Sequence, residues 1–192
     1  KQSENLRVIP ADIRVDNSVL QEETSRANIV FHMAAQVAVT TSVVNPRQDF
    51  EINVLGTINV LEAVRQSPNN PILIFASTNK VYGRLEDVAL VEKEKRCEFK
   101  NLKEGIKEEH LLDFHSPYGC SKGAADQYVR DYYRIYGLKT ITFRQSCIYG
   151  PRQYGIEDQG WVAHFAISAL LDRPLTIYGD GKQVRDVLEI ND

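Results

Sequence analysis

The run Ile72-Leu-Ile-Phe-Ala-Ser-Thr78 holds five apolar residues in succession and ends in two hydroxyls. It is too short for a buried helix and rich in branched side chains, so it predicts a strand buried inside a parallel sheet. Upstream, residues 48–66 set Phe50, Val54, Ile58, Leu61 and Val64 at helical spacing, with Pro46 just ahead. Before that helix, residues 28–32 read as a second strand, 19–25 as a short helix and 6–9 as a further strand. Downstream, residues 117–136 carry Ala125, Tyr128, Val129 and Tyr132 on one stripe and stop at Gly137. Residues 140–143 give another strand, and 160–171 a last helix closed by Arg173-Pro174. Strands that alternate with helices predict an α/β fold, a parallel sheet with helices on both faces. Residues 84–113 break this rhythm: they are charged and aperiodic, an insertion of about 30 residues with the length of a functional loop or lid.

The chain has 192 residues, 43% hydrophobic and 26% charged, which is globular and excludes a disordered or repetitive polymer. Its 23 Lys and Arg against 26 Asp and Glu give a net charge of −3. No overall field therefore draws in nucleic acid or an anionic membrane, although a local basic pocket is still allowed. Cys97, Cys120 and Cys147 form neither a disulfide framework nor a zinc spacing, which favours the cytoplasm. No stretch approaches the roughly 18 apolar residues of a membrane span. His110 and His115 have no ligand-spaced partners, so no metal is expected. Residues 1–6 are polar, unlike a signal peptide, and the chain opens without Met. It reads as an internal portion of a longer protein.

Parallel sheets bind ligands at the carboxyl ends of their strands. The segments after each strand are therefore the places to look for chemistry. Tyr118 and Lys122 stand four apart on a predicted helix, so a cation lies beside a phenol, lowers its pKa and makes a base. With 9 tyrosines, chance alone supplies about half a match of this spacing. Tyr178 and Lys182 repeat the spacing across Gly179-Asp180-Gly181, which is a turn. Tyr118 also reads simply as a half-buried aromatic beside a surface lysine. Ser77 and Thr78 offer hydroxyls at the sheet edge, or merely cap a turn. Asp12 is suited to accept from an adenine amino group with Ile13 packed on the ring, or is a turn Asp. Ala34 and Ala35 are small enough for close approach of a ligand, or for tight packing of strand on helix. Arg152 and Arg185 suit phosphate, or sit solvated on the surface. Trp161 can flank a base or sugar, or anchor a helix in the core, and His32 reads as a core histidine.

Together these residues carry a resemblance that none carries alone. Asp12-Ile13, His32-Met-Ala-Ala-Gln36, Asn53-Val-Leu-Gly-Thr57, Ser77-Thr-Asn-Lys-Val-Tyr-Gly83, Tyr118-Gly-Cys-Ser-Lys122, Tyr149-Gly-Pro-Arg-Gln153, Tyr178-Gly-Asp-Gly181 and Val184-Arg-Asp186 follow one another over nearly the whole chain. In this order they resemble the extended short-chain dehydrogenase/reductases, the NAD-dependent sugar-nucleotide epimerase/dehydratase family. The resemblance implies a Rossmann-type fold with Thr78, Tyr118 and Lys122 as catalytic residues. It implies NAD against Asp12, Ile13, Ala34, Ala35, Gln36, Asn53, Ser77, Tyr118, Lys122 and Gln145. It implies a nucleotide sugar, CDP-linked and inverted at C2, against Thr78, Asn79, Lys80, Ser146, Arg152, Gln159 and Arg185. Residues 1–150 would then be an incomplete NAD-binding domain, and 151–192 the start of the nucleotide-sugar region. A cytoplasmic homo-oligomer is expected, with no nucleic-acid or membrane partner.

Two departures matter. The family opens on a strand and a Gly-x-x-Gly-x-x-Gly loop whose amides cradle the pyrophosphate, and nothing before Leu6 supplies either. Most of the C-terminal substrate domain is missing as well. Within the family, 4,6-dehydratases carry Asp-Glu after the Thr to move two protons, whereas this chain has Asn79-Lys80. An epimerase is therefore expected, with a dehydratase, another family epimerase or an inactive nucleotide-binding member as alternatives.

Overall fold

The computed structural model describes residues 5–192; residues 1–4 of the polar start lie outside the described residues. In chain order the elements are α1 (Asn17–Arg26), β1 (Ile29–His32), α2 (Val39–Val44), α3 (Pro46–Phe50), α4 (Gly56–Gln66), β2 (Ile72–Ala76), β3 (Leu90–Glu92), β4 (Cys97–Phe99), α5 (Ser116–Tyr136), β5 (Thr140–Phe143), β6 (Cys147–Tyr149), α6 (Trp161–Leu170) and β7 (Val187–Glu189). The strand Ile72–Ala76 is central, as its unbroken apolar run predicts. The main sheet is parallel and ordered β1-β2-β5, with His32 opposite Phe75 and Ala76 opposite Phe143.

Alternation along β2 sends Leu73 and Phe75 to one face, where both are fully buried. They meet Val60, Leu61 and Val64 of α4, Ala125 and Val129 of α5, and Leu138. Burying a side chain such as Phe75 contributes about 1.5–3 kcal/mol. The Rossmann-type parallel arrangement is as expected. Within the described residues, the helices packed on the sheet share this one face, and Phe31 and Phe143 on the other are 62% and 51% exposed.

The predicted helix over 48–66 is continuous but not uniform. α3 starts at Pro46, with Asn45 Oδ1 accepting from Gln48 N, and passes through a π-helical turn at Glu51–Leu55 before α4. The wider turn changes which side chains face inward. Asp49 and Asn53 are buried, whereas Phe50, predicted to face the core, is 55% exposed.

α5 runs from Pro117 in its first turn to Gly137, whose φ of +69° closes the helix in the left-handed conformation. The fully buried Ser42 of α2 accepts from Tyr118 N at 3.1 Å. That bond satisfies one of the free amides at the start of α5 and fixes the height at which Tyr118 enters.

Two expectations are corrected, and one helix was not foreseen. Residues 6–9 form no strand, because strands need a ladder partner and, among the described residues, β1 pairs only with β2. Leu6 and Val8 are consequently exposed. α2, built from the β-branched Val39-Thr-Thr-Ser-Val-Val44, gave no helical signal and is helical through its packing on α5. The insertion at 84–113 is not aperiodic throughout. It folds into an antiparallel hairpin of β3 and β4 and is tied down where Asp113 N donates to Val81 O and Arg144 Nη1 to Glu108 O. Among the described residues no helix is long and apolar enough to cross a membrane. Nor do those residues include a group of three or more His, Cys, Asp or Glu placed to hold a metal ion.

Candidate active site

A cavity of about 390 Å³ opens at the carboxyl end of the sheet. One wall is Thr78, Asn79 and Lys80 after β2, a second is Tyr118 of α5, and a third is Gln145 and Ser146 after β5. Gln159 and Trp161 close the far side, where Gln159 Nε2 donates to Val37 O at 2.9 Å. Six expected site residues thus meet Tyr118 in one space. Trp161 lines the cavity and packs edge-to-face on Phe165, but at 39% exposed it does not anchor the helix in the core.

Thr78 caps the short 3₁₀ turn Asn79–Tyr82, its Oγ1 accepting from Lys80 N at 3.2 Å. Its hydroxyl stands 3.5 Å from Asn79 Oδ1, to which it donates, on the wall of the cavity that faces Tyr118. Tyr118 is 8% exposed, and burial raises the pKa of its phenol, with Thr78 opposing and Asp49 adding to the rise. This corrects the expected direction. The Lys122 ammonium does not lie against the phenol oxygen; it donates to Ala76 O and rests 4.3 Å from the centre of the Phe75 ring. Burial lowers Lys122 to about 8, with Asp126 and Asp49 holding it up.

Beneath the cavity lies a buried polar brace. Gln36 N donates to Asn53 Oδ1, and Asn53 Nδ2 returns a bond to Gln36 O and reaches Ser121 Oγ at 3.0 Å. Gln36 Nε2 donates to Asp49 Oδ1 at 2.8 Å. Among the described residues Asp49 Oδ2 is buried with no hydrogen-bond partner, and burial raises the Asp49 pKa. Asn53 and Gln36, expected against the cofactor, have their side chains engaged in holding the loop after β1 to α5. Ser77 likewise turns inward, to Asp126.

His32 is the core histidine that was expected. Thr57 Oγ1 donates to Asn53 O at 2.6 Å, so His32 Nε2, 2.9 Å from Thr57 Oγ1, carries the proton and donates. Burial first, then Lys122, lowers its pKa to about 4. The folded pKa lies below the unfolded value, so this group withdraws stability as pH falls from about 6.5 to about 4. Urea unfolding of the wild type and His32→Gln should show their stability difference shifting by about 2–3 kcal/mol between pH 7.5 and 4.5. An unchanged difference would mean that His32 titrates normally.

Other expected site residues are not brought to the cavity. Both Asp12 oxygens are taken by Arg14 at 2.6–3.0 Å, which holds the Asp12 pKa at about 2. Ile13 packs on Gly56, where a Cβ would lie 2.5 Å from Ile13 Cδ1. Arg152 borders a separate small groove beside Ile190. Arg185, in a stretch without regular structure, donates to Gln183 Oε1. Glu157, Gln153 and Thr40 line the cavity and were missed. Thr40 follows the carboxyl end of β1 and was the legible one. Glu157 accepts from Tyr178 Oη at 2.6 Å.

The residues fit the nicotinamide-ribose half of NAD. Among the described residues Lys122 Nζ has one acceptor for three protons, leaving donors for a ribose diol. Ala34 and Ala35 present small side chains at the open end of β1. No glycine-rich pyrophosphate loop occurs among the described residues.

Comparison with known proteins agrees with this geometry. The NAD dependent epimerase/dehydratase family matches residues 1–192. CDP-paratose 2-epimerase of Salmonella typhi is 52% identical over 194 residues, covering 98% of this chain and 57% of that protein. UDP-glucose 4-epimerase of Thermotoga maritima, solved with UDP-glucose, superposes with a TM-score of 0.80 at 30% identity, over 99% of this chain and 57% of that one. UDP-glucose 4-epimerase of Thermus thermophilus, in complex with NAD, gives 0.78 at 34% identity, over 98% and 58%. The chain spans a little over half the length of these relatives. By this match along its whole length, the chain belongs to the NAD-dependent epimerase/dehydratase family.

Proposed function

We propose that the chain is the central part of an NAD-dependent nucleotide-sugar epimerase that interconverts CDP-paratose and CDP-tyvelose by inverting C2. The observation that carries the reading is the wall Thr78-Asn79-Lys80 facing Tyr118 across one cavity. The 52% identical relative named CDP-paratose 2-epimerase supports the substrate. Residues 1–150 supply the cofactor side, and 151–192 begin the sugar-nucleotide side. Exposed Tyr128, Tyr133, Ile135 and Tyr136 on α5 support assembly as a homo-oligomer.

Tyr118 takes the proton from the sugar hydroxyl, and Thr78 directs its own proton at the same oxygen as that oxygen becomes a carbonyl. Lys122 holds the ribose beside them. NAD⁺, when bound, supplies the hydride acceptor and later donor, and a cationic ring that favours the phenolate. Asn79 and Lys80 bind the sugar without exchanging protons with it. Dehydration would need an acid and a base beside Thr78, and Asn79 and Lys80 do not supply the pair of carboxyl groups matched to those two tasks. The cavity's carboxylates, Glu157 and Asp158, stand on another wall, facing Tyr178 and Thr40.

The reading is tested by incubating the full-length protein with CDP-paratose in heavy water. CDP-tyvelose should form with no deuterium at C2. Deuterium at that carbon would remove the mechanism, and a 4-keto-6-deoxy product would make the protein a dehydratase.

A further inference from the structure

Asp126 stands on α5 four residues after Lys122 and eight after Tyr118, on the same side of the helix, and is 1% exposed. Its Oδ2 accepts from Ser77 Oγ at 2.7 Å and from Arg144 Nε at 3.0 Å. Its Oδ1 accepts from Arg144 Nη2 at 3.0 Å and Gln127 Nε2 at 2.8 Å. Ser77 precedes Thr78, and Arg144 precedes Gln145. The two strand ends are also joined to each other, Ser77 N to Phe143 O at 2.8 Å and Asn79 N to Gln145 O at 2.9 Å. The third guanidinium nitrogen, Arg144 Nη1, reaches Tyr82 Oη at 2.9 Å and Glu108 O at 3.0 Å.

One buried carboxylate therefore gathers the helix of Tyr118 and Lys122, the end of β2 at Thr78, the end of β5 at Gln145, and the insertion. Asp126, Ser77 and Arg144 do not line the cavity, so none of them meets the substrate there. We propose that Asp126 is a positioning residue, which through Ser77 and Arg144 locks Thr78 and Gln145 in register with Tyr118 and Lys122. The proposal rests on the reading of Thr78, Tyr118 and Lys122 as the catalytic set.

The same carboxylate also acts on Lys122 through its charge. The groups around Lys122 among the described residues are Asp126 and Tyr118 on its own helix, Asp49 from α3, His32 from β1 and Arg144 beyond Asp126. His32 is neutral near pH 7 and Tyr118 is uncharged until it reacts. The carboxylates are thus what keeps the buried ammonium protonated. Neutralising Asp126 removes one of them and leaves Arg144 as an uncompensated cation nearby. Both changes drive the proton off Lys122 at lower pH.

The experiment measures kcat, KM and thermal unfolding of the full-length protein and its Asp126→Asn variant across pH 6–10. The expected result is a kcat at least about tenfold lower at pH 7.5, KM within about threefold, and the alkaline limb of kcat about one pH unit lower. An unmoved limb with kcat falling only in step with the folded fraction overturns the proposal. Buried Arg144 without its partner can prevent folding, and Ser77→Ala then decides, because it breaks one link and changes no charge. A kcat at least about threefold lower at constant KM supports the lock, and an unchanged kcat overturns it. A wild-type protein that binds the nucleotide sugar and never epimerises it would remove the underlying catalytic reading instead.

Discussion

Replacing Tyr118 with Phe in the full-length protein is expected to lower turnover by about two orders of magnitude or more, with nucleotide-sugar affinity changed by less than about threefold. The ring stays where it is, since the position of α5 at this point is set by Tyr118 N bonded to Ser42 Oγ, a contact the substitution does not touch. What disappears is the phenol oxygen to which the proposed mechanism assigns the sugar's proton. Uniform binding is kept while an interaction of the transition state is lost, so kcat falls and affinity does not. Burial raises the phenol pKa, so the wild-type rate should also climb with pH through and above neutrality wherever the phenol limits it, and the Phe variant should lose that dependence. Turnover and calorimetric affinity on the two proteins decide the matter. A variant that keeps more than about a tenth of wild-type kcat would mean that another group is the base.

Phe75→Ala should be the most damaging single change to the fold, costing about 3–5 kcal/mol. Phe75 is 1% exposed in the middle strand and packs in one cluster with Leu61, Leu73 and Val129. Its ring centre lies 5.4 Å from that of His32 and 4.3 Å from Lys122 Nζ. Truncation leaves a cavity that three fixed elements cannot close, and removes the aromatic surface on which a buried ammonium rests. Urea unfolding should therefore show a large loss, whereas Leu111→Ala, 73% exposed in the insertion, should stay within about 0.5 kcal/mol. Equal losses at the two positions would contradict the placement of the core.

The main sheet was legible because its strands are short uninterrupted apolar runs, a pattern with few other readings. The same rule failed at residues 6–9, where composition suited a strand but no ladder partner lies alongside. Thr78, Tyr118 and Gln145 were legible because parallel topology gathers whatever follows each strand. Arg185 was not, since its distance from the cavity depends on an irregular stretch with no periodicity to read. The direction of the Tyr118 pKa was missed for a related reason. Spacing on a helix placed Lys122 near the phenol, but only tertiary structure shows its ammonium engaged with Ala76 O over the Phe75 ring. Asp49 was hidden as well, because an ideal helical wheel turns Phe50 inward in its place.

That last displacement reaches back into the history of the chain. A π-helical turn bonds i to i+5, so it carries one residue more than an α-helical turn. Each helical residue advances the wheel by about 100°, so removing one between Glu51 and Leu55 would swing Asp49 out from under the loop after β1, or swing Val60, Leu61 and Val64 off the sheet. Relatives with an uninterrupted helix here should align with a one-residue gap and carry a different brace beneath Gln36, so the gap would mark a branch point in descent.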